Sequence, residues 1–139
     1  LEQARFSEDS LFMTKKPVLA AAAALCAAWG GYYFLSGMKA PEVIRKLSGV
    51  RVAMALYALE HKAQPAAFED ALRDGKLEAA PRLKLPRHFG TAAVRNTPAQ
   101  DIRDTGGWGY VNDPRNPRFG LVFIDCSHKD EKGRYWSEF

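Results

Sequence analysis

The side chains of this chain with the richest chemistry are three histidines, His61, His88 and His128, and two cysteines, Cys26 and Cys126. The histidines lie far apart in sequence and match no metal-ligand spacing. Cys126 has no adjacent base in sequence to activate it, and a pairing with His128 is generic. Ser127 stands outside any nucleophile-elbow context, and Gly106-Gly107 reads as a strand entry, not a phosphate-binding loop. These residues read as structural or solvated, so no catalytic residue and no enzyme are expected. Cys26 falls in an apolar segment and Cys126 in a strand-like run, where a lone cysteine is usually a small buried hydrophobe. No disulfide between them is expected. Cations form the other chemical grouping: Arg82, Lys84, Arg87, Arg95 and Arg103 face one acid, Asp101, between Pro81 and Arg103. With His88 they read either as a solvated loop region or as a basic face for phosphates, anionic lipid or an acidic partner.

The elements that must position these residues begin with an uncharged stretch, Pro17 to Met38. Roughly 20 apolar residues in a helix span a bilayer core, and Trp29, Tyr32 and Tyr33 suit the interface beyond it. Lys15 and Lys16 precede the stretch, which predicts a cytoplasmic N-terminus and an outward C-terminal part. A second reading stays open: an export signal starting at Met13 and cut near Ala27 or Ala28. The apolar run continues past those sites to Leu35, which favours a retained anchor. The expected division is a cytoplasmic tail or mis-assigned start over 1–16, an anchor over 17–38, a helix over 39–62 continuing into the globular part, and a small α+β domain over 63–139. The chain has 139 residues and a formal net charge of +4. Without the anchor, about 100 residues remain, enough for one small core.

From Pro41 the residues Val43, Leu47, Val50, Met54 and Tyr57 recur at helical spacing and form one apolar face. That face can cover the domain's own sheet or serve as a packing seam between subunits. His61 to Pro65 ends the helix, because the residue before proline resists the α conformation. Ala66 to Leu72 predicts a short helix with Gly75 as its stop. Two alternating runs, Gly106–Val111 and Phe119–Cys126, flank the turn residues Asn112-Asp113-Pro114 and Asn116-Pro117 and predict an antiparallel hairpin. The aromatic end, Tyr135-Trp136-Ser137-Glu138-Phe139, is expected to fold back onto the sheet.

Two groups of residues carry a family resemblance. Ala53-Met54-Ala55-Leu56-Tyr57 with Pro65 and Phe68-Glu69-Asp70-Ala71-Leu72, followed by Thr105-Gly106-Gly107-Trp108-Gly109-Tyr110 and Leu121 to Cys126, resembles the type IV pilins and type II secretion pseudopilins. The resemblance implies a long N-terminal transmembrane helix followed by a small antiparallel β-sheet. It implies a single-pass subunit of the bacterial inner membrane, with its C-terminal domain in the periplasm or outside. Such a subunit works by assembly with other pilin-like subunits or secretion-system components. The family's Gly-Phe-Thr-Leu-Ile-Glu cleavage sequence is missing, so an uncleaved relative is expected. The resemblance also implies a C-terminal calcium site, for which Asp125, Asp130 and Glu131 are the candidate ligands, with Ser127 nearby. The alternative function is an exported or anchored binding module whose basic face contacts DNA, as in DNA-uptake pilins.

Overall fold

The computed structural model describes the backbone of residues 5–139 and the side chains of 16–139. The tail or alternative start expected over 1–16 therefore lies almost wholly outside the described side chains. The chain divides into two compact units, which meet in sequence at Ser36 and Gly37.

The first unit is a single helix, α1 (Arg5–Leu35). Its segment Lys16–Leu35 is long and apolar enough to cross a membrane, with mean hydropathy 1.6 and nothing buried. The helix ends a few residues earlier than the apolar run. The Ser36 amide closes the last turn on Tyr32 O at 2.8 Å, and the Ser36 hydroxyl donates to Tyr33 O at 3.1 Å. These bonds satisfy carbonyls that a helix end leaves without partners.

The second unit holds α2 (Ala40–His61), α3 (Phe68–Arg73), β1 (Val94–Thr97), β2 (Trp108–Val111), β3 (Val122–Ile124) and a closing 3-10 turn over Trp136–Glu138. Pro41 sits in the first turn of α2, where its missing N–H costs nothing. Lys62 ends the helix in a left-handed conformation. At the N-terminus of α3, the Phe68 N–H donates to Asn96 Oδ1 of β1, and Asn96 Nδ2 donates to Glu69. Gly75, at φ +72°, closes its other end, as the sequence predicts.

The sheet is three-stranded in the order β1-β2-β3. The predicted hairpin is present: β2 and β3 are antiparallel, with Trp108 opposite Ile124 and Tyr110 opposite Val122. The expectation of an antiparallel sheet is corrected at β1, which runs parallel to β2 with Val94 opposite Trp108. The reason is the connection. Residues 98–107 make no tight turn; they carry the chain back along the sheet so that β2 starts level with β1.

The core lies between α2 and one face of the sheet. Val43, Leu47, Val50 and Met54 are buried there with Phe68, Trp108, Tyr110, Val122, Ile124 and Trp136. The helical stripe is therefore filled by the domain's own sheet, and Tyr57 packs half-buried at its end. These residues do not form an open seam toward other subunits, because burying them is what joins α2 to the sheet. The polar tips of the large aromatics are satisfied: Tyr110 Oη donates to Pro65 O and Trp108 Nε1 to Pro81 O, each at 2.7 Å. On the opposite sheet face, the Phe123 ring lies over Gly109, where any Cβ would meet it at 2.1 Å. The aromatic tail folds back as expected, with Trp136 in the core and Phe139 against it at 5.5 Å between ring centres.

Candidate functional site

The structure brings His88 and His128 together, correcting the expectation that the histidines are too far apart to cooperate. Cys126 and Asp104 join them. One donor atom from each of the four lies within 4.8 Å of all the others. His88 Nε2 is 3.2 Å from His128 Nδ1 and 3.3 Å from Cys126 Sγ. His128 Nδ1 is 3.6 Å from Cys126 Sγ. Asp104 Oδ1 stands 3.3 Å from His88 Nε2 and 3.4 Å from His128 Nδ1.

Three separate segments deliver these groups. His88 closes a turn in which its N–H donates to Leu85 O at 3.1 Å and Arg87 takes φ 65°. A proline followed by a left-handed residue makes this a type II turn. Asp104 comes from the loop that reverses the chain between β1 and β2, and it too is left-handed, at φ 59°. Cys126 and His128 follow β3, where the Cys126 N–H turns back to Ile124 O at 3.0 Å and the His128 N–H to Cys126 Sγ at 3.4 Å. Gly106 completes the fit. Its φ is +74°, and a Cβ there would stand 2.5 Å from the His88 ring.

Asp125 holds the Asp104 loop. Its fully buried carboxylate accepts from the Arg103 N–H at 2.7 Å, Thr105 Oγ1 at 2.8 Å and Arg95 Nε at 3.2 Å. Its carbonyl accepts from the Gly106 N–H at 2.8 Å. The Asp104 carboxylate is itself fixed by the Ser127 N–H at 2.7 Å.

Electrostatics divide the four groups. Burial pushes the Cys126 thiol up to about 12, so a bare thiolate does not form there at neutral pH. Burial also lowers the pKa of His88, against the pull of Asp104. Burial works against the Asp104 carboxylate, but the Ser127 contacts and the two imidazoles outweigh it and hold its pKa below the usual range.

The calcium set expected at Asp125, Asp130 and Glu131 does not come together. Asp125 is committed to the loop, Asp130 takes Arg134 Nη2 at 2.7 Å, and Glu131 pairs with Lys39. Each carboxylate faces different partners, and among the described residues the three do not gather about a common point. The basic face is broken in the same way. Arg95 and Arg103 both engage Asp101, and Arg95 also engages Asp125, so two of the expected five cations are neutralised within the domain.

A second cluster, Glu60, His61 and Asp74, lies at the end of α2. Lys76 occupies it, paired with Glu60 and 3.3 Å from Asp74. On α2 itself, the side away from the sheet carries exposed Ile44, Val52, Leu56 and Leu59. Gly49 on that side has nothing within 4 Å of a built Cβ. Cys26 and Cys126 are both free thiols.

Comparison with protein-family models, with curated proteins and with solved structures finds no match to this chain.

The His-Cys-Asp cluster escaped sequence reasoning because two of its members, His88 and Asp104, sit in irregular loops with no periodicity. The one local signal was Cys126-Ser127-His128, two ligand types at strand spacing.

Proposed function

We propose that this chain is a membrane-anchored, pilin-like or pseudopilin subunit that acts by assembly in a type II secretion or type IV pilus system, not by catalysis. The observation that carries the reading is the distribution of apolar side chains on α2. One face is filled by the sheet, while Ile44, Val52, Leu56 and Leu59 on another remain exposed, Leu59 at 74%. Covering such side chains is favourable by on the order of 1–2 kcal/mol each. Only Ser36–Lys39 separate this helix from the apolar span, so neighbours anchored in the same bilayer meet it at high local concentration. In this reading, Lys16–Leu35 lies in the bacterial inner membrane with Lys15 and Lys16 inside, and the sheet unit stands outside.

The test is site-specific crosslinking in cells from single cysteines at Val52, Leu56 and Leu59, with Val50 and Met54 as buried controls. Crosslinks to another copy or another anchored subunit from the open face alone are expected. Folded, membrane-inserted protein that yields none from the open face removes the assembly reading.

A further inference from the structure

We propose that His88, Asp104, Cys126 and His128 bind one Zn²⁺ ion in a closed, structural site. The argument begins with hydrogen-bond counting. His88 Nε2 is approached by a nitrogen, a sulfur and an oxygen at 3.2–3.3 Å, and His128 Nδ1 by the same kinds of atom at 3.2–3.6 Å. A neutral ring nitrogen donates or accepts along one direction. Three neighbours on each nitrogen cannot all be served by hydrogen bonds, but four donors around a common cation need no bonds among themselves. The separations fit that cation. Five of the six are 3.2–3.6 Å, and the sixth, Cys126 to Asp104, lies within 4.8 Å. A tetrahedron with edges of the shorter length has its centre about 2.1 Å from each vertex, the length of a Zn–N or Zn–O bond, with sulfur slightly farther.

The donor types select the metal. Two imidazoles, a thiolate and a single carboxylate oxygen in a tetrahedral array suit zinc. Calcium requires more oxygens and magnesium an octahedron of them. Binding displaces the Cys126 proton to solvent. The resulting thiolate and the Asp104 carboxylate then cancel the two charges of the ion, so the centre is neutral. The surroundings are those of an oriented ligand set. The His128 N–H points to Cys126 Sγ at 3.4 Å, the Ser127 N–H fixes Asp104, and Asp125 fixes the loop that carries it. Such outer contacts orient metal ligands. Arg87 and Asp104 are two of the three described non-glycine residues at positive φ, and both lie at the cluster. Strain of that kind persists where the surroundings over-determine it.

Four protein ligands leave no position for water or substrate, which distinguishes a structural zinc from a catalytic one. The ion would tie together the turn at His88, the loop at Asp104 and the segment after β3. None of these is held by sheet pairing at the ligand itself. The strands are only three or four residues long, and a small domain of this kind gains from such a staple.

The experiment uses the full chain purified in detergent, with metal content by mass spectrometry and the visible spectrum after replacement by Co²⁺. One zinc per folded chain is expected, and the cobalt form should show tetrahedral d–d bands with a single thiolate charge-transfer band. Cys126→Ser should abolish that band and lower zinc affinity more than 100-fold, while His61→Ala should change neither. Because Cys126→Ser can also impair folding, X-ray absorption of the unmutated zinc form provides a second measurement, with one sulfur and three nitrogen or oxygen neighbours expected. Folded wild-type chain that takes up no stoichiometric zinc, or octahedral cobalt without a thiolate band, overturns the proposal. So does equal zinc binding by Cys126→Ser.

Discussion

Two clusters of ligand-type side chains occur in the globular unit, and they differ in what stands among them. Glu60, His61 and Asp74 are gathered around the Lys76 ammonium, which pairs with both acids. The cluster carries its own cation and lies at the solvent edge of α2. His88, Asp104, Cys126 and His128 converge just as closely, with His88 and Cys126 buried and Asp104 and His128 half-buried. The difference shows that proximity of ligand types alone says little. What points to a metal is a set of donors whose ring nitrogens each face a nitrogen, a sulfur and an oxygen at once, more neighbours than hydrogen bonds can serve.

The largest way to break this comparison is removal of the ion. With free zinc a thousandfold above Kd, binding to the native state alone contributes about 4 kcal/mol. A chelator should therefore lower Tm by roughly 15–30 °C for a domain of about 100 residues, read by calorimetry or dye-binding melts. The same chelator should move the Cys126→Ser melt far less. A wild-type melt indifferent to chelator would put the two clusters on the same footing.

Asp125→Asn sharpens the comparison without touching a ligand. Its carboxylate orders the loop bearing Asp104, so the variant should remain folded and lose about 10–100-fold in zinc affinity. Competition with a chromophoric chelator measures this, and an unchanged affinity would show that the loop holds its place without Asp125.

Two glycines at positive φ supply a matched pair of smaller effects. Gly106→Ala brings backbone strain and a Cβ 2.5 Å from the His88 ring, for a cost of about 2–3 kcal/mol together with weakened metal binding. Gly75→Ala brings strain alone, since nothing lies within 4 Å, and should cost about 1 kcal/mol with zinc binding unaltered. Denaturant titration of both variants reads the difference. The smallest effect is expected at the first cluster. Lys76→Ala should move the denaturation midpoint least of the three and leave zinc binding unaltered, because solvent-edge ion pairs contribute little.

The residues of the two clusters also show how far the sequence was legible. Cys126 and His128 were visible as alternating residues after a strand, yet nothing local linked them to His88 or Asp104. Asp125 was singled out as a carboxylate of interest, but for calcium. Its actual neighbours are Arg95, Arg103 and Thr105, which reach it through the loop between β1 and β2. Similarly, the stripe Val43, Leu47, Val50 and Met54 was legible as a face, while its occupant was not. Amphipathic period identifies a buried face and is silent on whether sheet or neighbour covers it.

What the sequence by itself determined is what short-range physics controls. This includes the apolar span ending near Leu35, the helix stopped before Pro65, the α3 end at Gly75, and the hairpin of β2 and β3 around its Asn-Asp-Pro turn. Each follows from side-chain periodicity or from backbone preferences of neighbouring residues. Only the tertiary structure decided that β1 lies parallel to β2, that α2 keeps a second apolar face open, and that four residues spread from 88 to 128 share one point. Those outcomes depend on how loops close between distant segments, and loop closure leaves no period in the sequence.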